Sequence, residues 1–65
     1  MNKILAIILE ALPNYNFKIK LEDGREIRAY VGGKMKMNNI KLLIGDRVDV
    51  ELPEGSQIGR IVYRK

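Results

Sequence analysis

Apolar and polar positions alternate strictly in three stretches of this 65-residue chain. Phe17-Lys18-Ile19-Lys20-Leu21, Ile27-Arg28-Ala29-Tyr30-Val31 and Arg47-Val48-Asp49-Val50-Glu51-Leu52 all carry the two-residue period of a half-buried strand. Lys3 to Leu12 is mostly Ile, Leu and Ala, and its pattern alone allows helix or strand. Its isoleucines favour strand, and Leu12-Pro13-Asn14 ends it with a turn signal. Asp23-Gly24, between two alternating stretches, predicts a hairpin. Ile58 to Tyr63 reads as a last strand, with Gly59 marking a bulge or a close approach.

Gly32-Gly33 interrupts the strand pattern. From Lys34 to Ile44 the apolar residues Met37, Ile40, Leu43 and Ile44 fall at helical spacing, which predicts one or two helical turns. Gly45-Asp46 closes that segment, and Pro53-Glu54-Gly55-Ser56 is a loop by composition. The expected fold is therefore all-β: a five-stranded Greek-key barrel of the OB type, with a short helix between strands three and four. Residues 1–65 are expected to form one such domain, since a chain this short has no second core. An SH3-like barrel is the runner-up, and the helix favours OB. Closing the barrel removes the open edges that a small sheet would otherwise expose.

Composition narrows the chemistry. The chain has no cysteine, histidine, threonine or tryptophan, and Ser56 is its only serine. No Ser-His or Cys-His pair can form, and the usual zinc ligands are missing, so an enzyme is not expected and no cofactor is implied. Glu22, Asp23 and Glu26 cluster at the hairpin but lack the spacing of a calcium loop, and turn chemistry accounts for Asp23. Gly32-Gly33-Lys34 lacks the rest of a phosphate-binding loop. The longest apolar run, Ile4 to Leu9, is six residues, against ~20 for a membrane span. It also lacks the form of a signal peptide, so a cytoplasmic protein with no membrane partner is expected. Twelve basic residues against eight acidic ones give a net charge of +4. That balance suits a polyanion partner, although it also suits simple solubility.

Strand parity places Ile19, Leu21, Ile27, Ala29 and Val31 inward. It places Lys18, Lys20, Arg28 and Tyr30 outward, on the face that OB barrels commonly use for binding. Cations track phosphates, and a ring lets a base stack. A solvated face guarded by lysines is the plain alternative. Phe17 shares the inward parity at the strand's end, as core or as rim. Lys34, Lys36 and Lys41 add a basic segment after the glycine pair. Met37 and Ile40 would anchor it, and Met35 is either core or an apolar tip against a base. Arg60, Arg64 and Lys65 make the last strand and tail basic.

Gly33-Lys34-Met35-Lys36-Met37-Asn38 strongly resembles a segment of bacterial translation initiation factor one, an S1-like OB-fold family. Leu9-Glu10-Ala11-Leu12-Pro13-Asn14 is similar to the family's first turn, and Phe17 to Gly24 to its second strand and hairpin. Ile40 to Val48 and Gly59-Arg60-Ile61-Val62-Tyr63-Arg64 resemble its later segments, so the likeness runs in order along nearly the whole chain. The resemblance implies binding to the small ribosomal subunit in the decoding region, at the A site. It also implies cooperation with the other initiation factors. By position, Lys34, Met35, Lys36 and Asn38 would form the loop inserted against ribosomal RNA, and Lys41, Arg60 and Arg64 would be flanking RNA contacts. Tyr30 and Phe17 match positions on the RNA-binding face of related S1 domains.

The chain departs from the family at several places. Ala6 stands where glycine is usual, and Lys36 and Lys41 stand where arginine is usual. Tyr30 replaces histidine, and the loop before the last strand carries Glu54 and is short. Only five residues precede Ala6, where the family carries an extension. Lysine keeps the charge of arginine but loses its planar fork. The expected function is thus an RNA-binding translation initiation factor, monomeric, with the small-subunit RNA and other initiation factors as partners. The alternatives are a generic single-stranded nucleic-acid-binding OB module and an engineered barrel with weakened binding.

Overall fold

A computed structural model describes residues 3–33 and 41–65. Its five strands are β1 (Lys3–Leu12), β2 (Asn16–Leu21), β3 (Glu26–Val31), β4 (Arg47–Glu51) and β5 (Ile58–Arg64). They close into a barrel in the order β1-β2-β3-β5-β4. Of these strand pairs, β3–β5 is parallel and the rest are antiparallel. This is the OB-like architecture that the alternating stretches predict.

The alternation becomes an inside and an outside. Ile19, Leu21, Ala29, Val31, Val48, Val50 and Ile61 line the interior with Ala6 and Ile8, and no polar side chain is buried among the described residues. Each fully buried isoleucine or valine contributes about 1.5–3 kcal/mol by leaving water. Phe17 and Ile27 are half-buried and pack against this core.

Strand β1 hides its periodicity because it serves two partners. Lys3 to Ile7 pair with β4, while Ala6 to Leu12 pair with β2, and a bulge shifts the register between Ile8 and Glu10. Ala6 and Ile8 face in, leaving Ile7 exposed on the outer side. Gly59 is a close approach: a Cβ there would lie 2.4 Å from Val50 Cγ1. At the β2–β3 turn, Gly24 has a φ of 96°. Its N–H donates to the Leu21 carbonyl, while the Leu21 N–H donates to the Arg25 carbonyl. That is a three-residue loop ending in a left-handed glycine.

The last residues of the expected helix, Lys41 to Ile44, are not helical. Lys34 to Ile40 lie outside the described residues, but Lys41 to Leu43 are irregular chain leading into a turn. Leu42 is buried, whereas Leu43 and Ile44 are exposed, Ile44 at 71%. The competing structure is a tight turn. Asp46 Oδ2 accepts the Leu43 N–H at 2.8 Å, Gly45 has a φ of 93°, and the Gly45 N–H donates to the Ile8 carbonyl at 2.8 Å. These bonds replace helical ones, so the apolar spacing of Leu43 and Ile44 buries nothing.

Candidate nucleic-acid interface

The outer side chains of β2, β3 and β5 form a continuous face. Lys18 lies opposite Arg28, and Asn16 lies opposite Tyr30. Across the parallel seam, Arg28 is in register with Ile58 and Tyr30 with Arg60. The cations and the ring that the alternation placed outward do share this face, and Tyr30 is 44% exposed. Phe17 does not join them. It pairs with Ala29 at inward parity and packs against the core.

Several of the expected RNA-contacting cations already hold carboxylates. Lys18 Nζ is 3.3 Å from Glu26 Oε1. Arg60 is ion-paired with Glu51, its register partner on β4. Arg64 Nη1 lies 4.0 Å from Asp46 Oδ2 and donates to the Lys41 carbonyl at 3.4 Å. Such exposed pairs contribute about 0–1 kcal/mol, so a phosphate can displace the carboxylate at little cost.

Lys34, Met35, Lys36 and Asn38 lie outside the described residues, but both roots of their segment are held by β5. On entry, the Gly32 N–H donates to the Ile61 carbonyl at 2.9 Å. A Cβ on Gly32 would come within 3.0 Å of that oxygen and 3.6 Å of Arg60 Cδ. A side chain on Gly32 would press on that oxygen, so glycine eases the chain's exit from the barrel close against β5. On return, Lys41 is exposed, and Arg64 holds its carbonyl. Arg60, Arg64 and Lys41 thus surround the two roots.

Three features of this surface add to what the sequence shows. Arg28 has no ion pair among the described residues, although its outward position is legible from parity. Ser56 and Gln57 join Arg25, Glu26, Ile27 and Arg28 around one groove. That juxtaposition arises from the long-range parallel pairing of β3 with β5, and no local signal announces it. Tyr15 is exposed in the β1–β2 turn with a φ of 59°, beside Asn14 at 62°. Its carbonyl accepts the Val31 N–H, which brings this turn to the end of β3. The acidic residues at the hairpin behave as turn chemistry. Asp23 Oδ1 accepts the Arg25 N–H at 2.9 Å, and Oδ2 accepts Arg25 Nε–H at 2.8 Å. The backbone bond foremost, with the guanidinium beside it, holds the Asp23 carboxyl below the usual carboxylate value.

The family model for translation initiation factor 1A / IF-1 matches residues 1–65. Among solved structures, translation initiation factor one from the Wolbachia endosymbiont strain TRS of Brugia malayi is 33% identical, with a TM-score of 0.79. The match covers 98% of this chain and 77% of that one. YjeQ from Thermotoga maritima superposes with a TM-score of 0.82 at 25% identity, covering 98% of this chain but only 23% of that one. The barrel also occurs within a much larger protein, so the fold alone does not assign a role. The whole-length family match does: the chain belongs to the translation initiation factor 1A / IF-1 family, non-enzymatic translation factors that associate with the ribosome.

Proposed function

We propose that this chain acts as a cytoplasmic monomer that occupies the decoding (A) site of the small ribosomal subunit, beside the other initiation factors. The observation that carries this reading is the cationic collar of Arg60, Arg64 and Lys41 around both roots of the 34–40 segment. It supports a role for that segment as an inserted loop, with Lys34, Lys36 and Asn38 against ribosomal RNA and Met35 as an apolar contact. Tyr30, next to Arg60 across the seam, offers a ring to an unpaired base. Phe17 supports this face from beneath.

The action is steric and electrostatic. Lys18, Lys34, Lys36, Lys41, Arg60 and Arg64 neutralise phosphates, and the barrel fills space that a tRNA would need. For about six phosphate contacts, the log–log dependence of affinity on salt has a slope of roughly −4 to −5. The test is binding to purified small subunits across a salt series, with and without the other initiation factors and a ligand that occupies the decoding site. Saturable binding that the ligand blocks supports the reading. Binding that ignores the ligand, and is equal on unrelated RNA, refutes it in favour of a generic nucleic-acid module.

A further inference from the structure

The outer face of β1 points away from the β3–β5 seam, because β1 is flanked in the barrel by β2 and β4. Two rows of side chains cross it. Ile7 is in register with Lys20 on β2 and with Arg47 on β4, so one row reads cation, apolar, cation. Leu5 is in register with Asp49 on β4, and its carbonyl accepts the Glu22 N–H at 3.1 Å. The next row therefore reads acid, apolar, acid. Leu5, Ile7, Lys20, Glu22 and Arg47 line one groove, where Leu5 is half-buried and Ile7 is exposed.

The cations of the first row have no ion pair among the described residues. Strand parity groups Lys20 with Lys18 and Arg28, but register sets it beside Ile7. Glu26, its register partner on β3, is taken by Lys18. On the other side, Asp49 is taken by Lys65, and Asp46 lies by Arg64. Lys20 and Arg47 thus bracket an exposed apolar side chain with their charges unanswered.

The two rows discriminate between occupants. A nucleic-acid strand following β1 would meet Glu22 and Asp49 only ~7 Å after Lys20 and Arg47, and would be repelled there. The barrel is closed, so no strand edge is open for a partner to extend. A partner must dock through side chains. Lys20 and Arg47 stand on strands two spacings apart, about 9.5 Å. In an α-helix, residues i and i+7 share a face ~10.5 Å apart, with i+3 and i+4 between them. In an extended segment, residues on one face fall ~7 or ~14 Å apart. The spacing matches a helix laid across the strands. Its width of about 10–12 Å covers both rows, so its apolar side chains reach Leu5 as well as Ile7.

We propose that the outer face of β1 is a docking site for an acidic amphipathic helix of a protein partner. Lys20 and Arg47 take carboxylates at i and i+7, while Ile7 and Leu5 take the apolar pair at i+3 and i+4. The site does not depend on the RNA-binding reading.

The test titrates synthetic helical peptides into isotope-labelled protein and follows the backbone amides by NMR. One peptide carries Glu at i and i+7 and Leu at i+3 and i+4; the other has Lys in place of both Glu. The acidic peptide should shift the amides of Leu5, Ile7, Lys20 and Arg47 saturably, and the Lys peptide should bind about tenfold more weakly or worse. Ile7→Ala should weaken the acidic peptide about threefold to tenfold. Arg47→Glu should weaken it about tenfold and recover affinity for a peptide with Lys at the matching position, a reversal that a merely damaged fold would not produce. No binding of the acidic peptide, equal binding of the two peptides, or shifts confined to β3 and β5 overturns the proposal. Self-association abolished by Arg47→Glu in sedimentation also overturns it and assigns the face to a second copy. A single-stranded RNA that shifts these amides as readily as the acidic peptide overturns it in favour of nucleic acid.

Discussion

The two ends of the β3–β5 seam carry the same kinds of residue in opposite conditions. At the loop roots, Arg60 is held by Glu51, and Arg64 by Asp46 and the Lys41 carbonyl. At the far end, Arg28 has no carboxylate partner among the described residues and faces Lys18. The root cations tie β5 to β4 and to the returning chain, so under the proposed function an RNA phosphate would gain them only by exchange. The far-end cation has no structural task. Formal charge alone does not show which arginines are ready for a phosphate, because the carboxylates across the neighbouring strand decide it.

Moving β5 should break this contrast most strongly, because β5 carries both root arginines. Gly59→Ala places a methyl group 2.4 Å from Val50 Cγ1. Val50 is fully buried and its branched side chain is stiff, so it cannot yield by rotating. Overpacking of this kind costs about 1–3 kcal/mol. A fall in melting temperature of roughly 4–8 °C per kcal/mol follows for a small domain. Thermal unfolding checks it, and an unchanged midpoint would show that β4 and β5 separate without cost to make room.

The loop itself comes next. Lys34→Ala together with Lys36→Ala should flatten the salt slope of subunit binding by ~1.4–1.8, the share of two phosphates. The melting temperature should hold, because charged side chains of this kind contribute little to a core. An unchanged slope would remove these residues from the interface and leave the loop roots without a loop to serve.

Much of the fold is legible in the sequence, and the illegible parts have physical reasons. Strands β2, β3 and β4 are legible because each has one buried and one wet face, which writes the two-residue period directly into the chain. Strand β1 is less so, since its bulge and its two partners leave Ile7 outside and erase the alternation. The spacing of Leu43 and Ile44 suggests helix, but a glycine and one aspartate side chain make a turn. The outward cations are legible by parity, and their partners are not. Glu51 and Arg60 are nine residues apart, and Arg64 reaches 23 residues back to Lys41. Those contacts depend on strand order and register. Gln57 enters the groove for the same reason.

A subtler probe uses the carboxylates. Glu51→Gln removes the charge that competes for Arg60, so subunit binding should tighten by a few-fold at most, within the ~0–1 kcal/mol of an exposed pair. Arg60→Gln should weaken binding. Opposite signs for the two partners are the signature of exchange. If both substitutions weaken binding equally, the pair positions the root and does not compete with RNA.

The smallest effect belongs to the hairpin turn below the far-end groove. Asp23 is held under its ordinary value of 3.8, mainly by the Arg25 N–H. A carboxyl whose folded value is depressed stabilises the fold at pH above its unfolded value, and that contribution disappears as pH falls through the folded value. Asp23→Asn keeps an oxygen for the Arg25 N–H and removes only the charge. The wild type should therefore melt slightly above the variant at neutral pH, and the two curves should converge as the pH falls through the depressed folded value. Because Asp23 also keeps Arg25 occupied, the variant frees a second cation at the groove, and RNA affinity should rise slightly as stability falls. A variant that lost both would show that Arg25 must be held in place for the groove to keep its shape, making the turn part of the interface.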